Sequence, residues 1–139
     1  MKTLINKYLT LFFIGGALYL LIEIISRRGY THWTMGIVGG ICFVLIGMID
    51  KFLPRSPFWL QALLGGVIVT IVELISGILI NIVFQLDVWD YSNHAFQILG
   101  QVCLPFSMLW CILSSFAIIL DDYLRYWLFG ENRPHYHFF

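Results

Sequence analysis

Hydrophobic and polar positions in this 139-residue chain alternate in long blocks, with neither the two-residue period of a strand nor a one-sided helical stripe. Four apolar blocks stand out: Leu4 to Ile25, Trp33 to Ile49, Phe58 to Phe84 and Phe96 to Leu120. About 20 helical residues cross ~30 Å of hydrocarbon, so the blocks predict four transmembrane helices. Arg27-Arg28-Gly29 closes the first and Asp50-Lys51 the second. Phe52-Leu53-Pro54-Arg55-Ser56-Pro57 makes the turn into the third. Both prolines suit that place, because proline is tolerated before a helix or in its first turn and breaks a helix interior. Asp121 to Phe129 mixes charge with aromatic rings, which predicts an interfacial amphipathic extension closed by Gly130. The tail from Glu131 to Phe139 is expected to be poorly ordered. Lys2 and Lys7 ahead of an apolar run imitate a signal peptide, but the run is too long and no small-residue cleavage site follows. It reads as a retained first helix.

The blocks also repeat. Gly15-Gly16, Glu23 and Ser26 recur fifty positions later as Gly65-Gly66, Glu73 and Ser76. A weaker match sets Ile37-Val38-Gly39-Gly40-Ile41-Cys42 against Ile98-Leu99-Gly100-Gln101-Val102-Cys103, at an offset of sixty-one. Two helices per repeat is an even number, so the halves are expected to run parallel about an axis along the membrane normal. The expected fold is an all-α integral membrane protein: a four-helix bundle of two tandem hairpins, 4–52 and 57–120, an extension over 121–130 and a tail over 131–139.

Composition narrows the function classes. The chain is 60% hydrophobic and 12% charged, with mean hydropathy +0.85, against about 25% charged residues in soluble domains. Net charge is zero and no long basic run occurs, so nucleic acid is not an expected partner. Lysine and arginine counts set the orientation. With the N-terminus inside, six basic residues (Lys2, Lys7, Lys51, Arg55, Arg125, Arg133) face the cytoplasm and two, Arg27 and Arg28, face outward. Both termini are therefore expected in the cytoplasm of a multi-pass protein of the cell membrane. Cys42, Cys103 and Cys111 lie in apolar blocks at spacings that suit no zinc or redox motif, and read as inert buried thiols.

Against that background the ionisable residues inside the blocks need a reason to be there. Glu73 has seventeen uncharged residues before it and thirteen after. At membrane depth a carboxyl is protonated, paired or turned to a polar cavity, so Glu73 is either a working site or glue between helices. Glu23, its repeat partner, has Arg27 at i+4, the favourable order for a helical ion pair. If both glutamates reach the pseudo-twofold axis they share one cavity, with Arg27 or Arg28 as counter-ion or anion clamp. Asn81 follows Glu73 by eight positions and shares its face. In the outer connection Trp89, Asp90, Tyr91, Ser92, Asn93 and His94 are able to bind a cation, a sugar or a headgroup, or simply anchor an interfacial loop. His32 in the first outer loop carries the same two readings. His135 and His137 complete no metal site. No phosphate loop, nucleophile elbow or metalloprotease motif occurs, and no metal, cofactor or catalytic residue is assigned.

The arrangement Glu73-x-x-Ser-Gly, Asn81, Trp89-Asp90-Tyr91-Ser92, Gly100-Gln101 and Ser107-x-x-Trp110 resembles the Putative ABC-transporter type IV family of small membrane proteins, often labelled ABC transporter permeases. Members often carry a proline and an asparagine in the places that His94 to Gln97 hold here. The resemblance implies a transport protein or permease subunit, with a separate ATPase as partner since this chain has no nucleotide-binding motif. Four helices are few for a translocation path, so a homo-oligomer or a partner membrane subunit is expected. The polar candidates for substrate or ion are Glu23, Glu73, Asn81, Asp90, Gln101, Arg27 and Arg28. Two further readings stay open: an enzyme acting on a lipid-linked substrate, and an accessory or assembly subunit.

Overall fold

A computed structural model of the chain describes residues 2–26, 33–53, 56–86, 88–90, 92–93, 96–131, 134 and 136. Helix α1 is Lys2–Ser26, α2 is Trp33–Gly47, α3 is the short Ile49–Phe52, α4 is Phe58–Gly77 and α5 is Leu104–Phe129. A π-helical segment, Ile78–Val83, continues α4 without a break. Among the described residues there is no strand, and Ile98 and Val102 form an isolated bridge.

Helix α1, helix α4 with its π segment, and helix α5 are each long and apolar enough to cross a membrane. Helix α2 is a shorter apolar helix of 15 residues, about 22 Å at 1.5 Å per residue. Pro57, extended at φ −65° and ψ 153°, caps the start of α4, and Gly130, left-handed at φ 67°, ends α5. The expected fourth span does not begin at Phe96. Phe96 and Leu99 sit at φ 54° and Gly100 at 73°, left-handed values that no α-helix contains. The chain there is a turn, closed by the Ile98 amide on the Val102 carbonyl at 2.9 Å. Pro105 in the first turn of α5 sets the true start. At the other end, the expected extension is not a separate element, because Asp121 to Phe129 are the last turns of α5.

The helices are apolar outside, and the mostly apolar interior also takes in polar side chains. Trp59, Leu63, Val67, Ile71 and Ile75 of α4 and Leu79 of its π segment, four residues apart, are all exposed. Trp33, Ile37, Ile41 and Leu45 form the same stripe on α2. The buried set includes Glu23, Thr34, Gln61, Glu73, Gln101, Ser114 and Asp121. This is the arrangement hydrocarbon imposes, where side chains facing outward meet lipid and polar groups must find partners within the protein. It fits a membrane protein.

Helix α1 packs along α2 and α4 along α5, while α2 also touches α4 and α5. Small residues make both close contacts. A Cβ on Gly16 would stand 2.6 Å from the Gly36 carbonyl oxygen, and one on Gly66 would stand 2.1 Å from Cys111 Sγ. Close approach of this kind replaces the hydrophobic drive that lipid does not supply. Helices α1 and α5 make few contacts with each other, and that gap positions the site.

Candidate functional site

Glu73 lies sixteen residues into α4, on the face opposite the lipid stripe, and is 5% exposed. Its Oε1 accepts a hydrogen bond of 3.3 Å from the indole Nε1 of Trp110 on α5. Trp110 is itself buried and stacks near Tyr19 of α1, with ring centroids 6.2 Å apart. The carboxyl walls a cavity of ≈320 Å³, together with Tyr19, Cys42 of α2, Trp89 of the α4–α5 connection, Trp110 and Ser114. That volume is at the lower end of the ~300–1,000 Å³ of ligand pockets. Glu73 supplies the only carboxyl among the described lining residues; most of the rest present carbon. Such a wall suits an apolar group, and its one described carboxyl is of a type able to exchange a proton or pair with a cation.

Half-buried Asn81 and buried Trp89 and Gln101 come together in a knot that shares Trp89 with this cavity. The π segment re-aims the backbone after Gly77, and its wide turn holds the Phe84 amide on the Leu79 carbonyl at 3.0 Å. The Asn81 amide nitrogen donates to Gln101 Oε1 at 2.7 Å. Its oxygen accepts from the Val88 amide at 2.7 Å and the Trp89 amide at 3.4 Å. Trp89 Nε1 donates to the Gln101 carbonyl at 3.0 Å, and Gln101 Nε2 donates to the Leu99 carbonyl at 2.9 Å. Asp90 and Ser92, both exposed, sit outside the knot. The Ser92 hydroxyl and amide donate to the Asp90 carboxylate, and that hydroxyl, then the amide, holds its pKa below the usual value. Gly100 needs its left-handed φ and its missing side chain together, since a Cβ would stand 2.7 Å from Asp90 Oδ1. Trp89, Asp90 and Ser92 are thus joined to Gly100 and Gln101 in one folded connection, and Trp89 lines the same cavity as Glu73.

The other expected residues separate from these. Glu23 is buried at 9% exposure but is not among the residues lining the Glu73 cavity. Asn93 is exposed. Arg27, Arg28, His32, Tyr91 and His94 lie outside the described residues.

A second polar centre lies at the end of the bundle where α1 begins and α5 ends. Asp121 is 0% exposed and receives Arg125 Nε at 2.9 Å. Arg125 also pairs with Asp122, and with Glu131 at 3.1 Å. Lys7 pairs with Glu131, which joins the start of α1 to the residues after α5. Burial works against the charged form of Glu131, but Lys7 and Arg125 outweigh it and hold its pKa below the ordinary 4.5. Tyr136 joins this centre too. Tyr136 donates to Asp122 at 2.8 Å and packs on Phe58 at 5.2 Å between ring centroids. Hydropathy places Asp121 at an interface; the structure buries it against Gly47, where a Cβ would stand 2.5 Å from the carboxylate. The spacing of Asp121 and Asp122 ahead of Arg125, at i+4 and i+3, was the legible signal. Trp110 had none beyond the Ser107-x-x-Trp110 likeness.

Residues 10–130 match the family model described as Putative ABC-transporter type IV. No curated protein and no solved structure matches the chain.

Proposed function

The chain belongs to the Putative ABC-transporter type IV family, and we propose that it is a membrane-embedded transport subunit whose working site is the cavity walled by Glu73. One observation carries this: a carboxyl 5% exposed within the span, held by Trp110 and lining a cavity whose other walls are mostly carbon. Glue between helices would need only the hydrogen bond. It would not need the adjoining space.

The two-hairpin repeat supports a transport architecture. Gly15-Gly16 serves the α1–α2 contact as Gly65-Gly66 serves the α4–α5 contact, and each pair stands eight residues ahead of a buried glutamate. The Lys7–Glu131 pair supports both chain ends lying on one side, and the basic count favours the cytoplasm. Four helices are few for a translocation path, so a second copy or a partner subunit would complete it, with a separate ATPase as the energy source. Asp90 and the rest of the outer connection serve entry to the site, with Trp89 as the link.

The test is flux in proteoliposomes. Purified chain, alone and with any ATPase that co-purifies from its native membrane, is assayed against a panel of ions, solutes and labelled lipids. Glu73→Gln keeps the shape and loses the acid; it is expected to lower flux at least ~10-fold with unchanged elution in size-exclusion chromatography. Full flux in that variant would remove Glu73 from the mechanism.

A further inference from the structure

The Glu73 cavity and the charged centre are neighbours. Ile46 and Leu120 line the first, while Gly47 and Asp121, the next residues on the same two helices, line a second cavity of ≈250 Å³. Along α1 the lining passes from Leu11 to Gly15, one helical turn. The larger cavity opens sideways. Its exposed lining residues, Leu18, Ile22 and Phe116, belong to α1 and α5, the two helices that barely touch. From Met35 to Ile46 it follows about 16 Å of α2 at 1.5 Å per residue. One leaflet of a ~30 Å hydrocarbon core is roughly 15 Å thick. The smaller cavity carries three basic residues, Lys7, Lys51 and Arg125, against two acidic ones, Asp121 and Glu131. Arg125 is already taken by Asp121, Asp122 and Glu131 and Lys7 by Glu131, so Lys51, exposed at the rim, is the cation left for a ligand among the described lining residues. So a mostly carbon-lined groove one leaflet long, with its exposed residues at the lipid-facing gap, lies next to a charged pocket at whose rim Lys51 stands exposed.

We propose that the two cavities form one site for an anionic glycerophospholipid, with its phosphate at Lys51 and one acyl chain lying along the groove towards Glu73. The inference rests on reading the Glu73 cavity as the working site and names the class of molecule it takes. The lipid enters between α1 and α5 from the leaflet that the chain ends face. Charge at one end and length at the other select it over a neutral amphiphile or a small ion.

Native mass spectrometry tests this on the full chain in micelles holding equal amounts of phosphatidylglycerol and phosphatidylcholine with the same acyl chains. The chain is expected to retain phosphatidylglycerol about five-fold over phosphatidylcholine, the factor set by one basic residue beside an anionic headgroup. Lys51→Gln should bring that ratio to within roughly two-fold. Leu18→Trp, which narrows the groove mouth, should lower retention of both lipids, whereas Ile71→Trp on the opposite lipid face should change neither. Equal retention of the two lipids by the unaltered chain, or undiminished retention in Leu18→Trp, would overturn the proposal. Glu73→Gln is expected to keep the preference while losing flux. If it keeps both, the transport role of Glu73 fails and the lipid site stands.

Discussion

Asn81 offers the sharpest structural prediction. Asn81→Leu conserves volume and deletes a carboxamide that gives one hydrogen bond and receives two. Two groups lose their short partners: Gln101 Oε1, on a residue 4% exposed, and the amide of Val88, 6% exposed. The Trp89 contact, at 3.4 Å, contributes little. A buried polar group left unsatisfied costs about 1–3 kcal/mol, so the two together should cost about 2–4 kcal/mol after some relaxation. For a chain of this size that corresponds to a fall in Tm on the order of 10 °C. Cys42 and Cys103 are free and buried, so a thiol-reactive fluorogenic maleimide reports unfolding directly in detergent. Asn81→Asp is the discriminating control. It keeps the acceptor for Val88 but sets a carboxylate against Gln101 Oε1, and it should be destabilising as well. A fall of less than about 2 °C in Asn81→Leu would refute the knot as the support of the α4–α5 connection.

Three further outcomes follow from the same geometry. Gly66→Ala puts a Cβ onto Cys111, whose Cα would be 2.9 Å away, so α4 and α5 must separate and stability should fall by about 1–3 kcal/mol in the same assay. Cys111→Ala should rescue only part of it, since the backbone clash persists. Glu131 has a depressed pKa when folded, so its stabilisation is complete above the ordinary 4.5 and disappears as pH falls through the lower folded value; thermal melts should lose stability across that acid window, and Lys7→Met should flatten the loss. Tyr136→Phe removes the bond to Asp122 but keeps the ring on Phe58, so the cleavage of the tail by protease should rise modestly, and Tyr136→Ala should raise it further.

Where the chain follows hydropathy and proline, the sequence already shows the fold. Proline before α4 and the length of the first apolar block predict those two helices to within a few residues. The start of α5 is different, because Phe96-Gln97-Ile98-Leu99 reads as helix by hydropathy, while hydrogen bonds from Gly100 to Gln97, from Gln101 to Leu99 and from Ile98 to Val102 hold it in a left-handed turn. Only Gly100 and Pro105 hint at it. Glu73 is conspicuous by its isolation from other charges, but its partner Trp110 is 37 residues away and is chosen by packing. Asp121 shows the reverse. Its pairing with Arg125 is local and readable, while its burial depends on the absence of a side chain at Gly47, on another helix.

The measurement closest to the centre of this reading is chemical access to Glu73 within an intact bilayer. A hydrophobic carbodiimide, which couples to carboxylic acids in apolar surroundings, is applied to proteoliposomes and its sites are mapped by peptide mass. Glu73 should be modified in the folded chain, and Leu18→Trp at the mouth of the groove should slow that modification. A Glu73 that is unreactive in the bilayer but labelled once the protein is unfolded would mean that the carboxyl is sealed into the helix packing, with no cavity for a substrate to reach it.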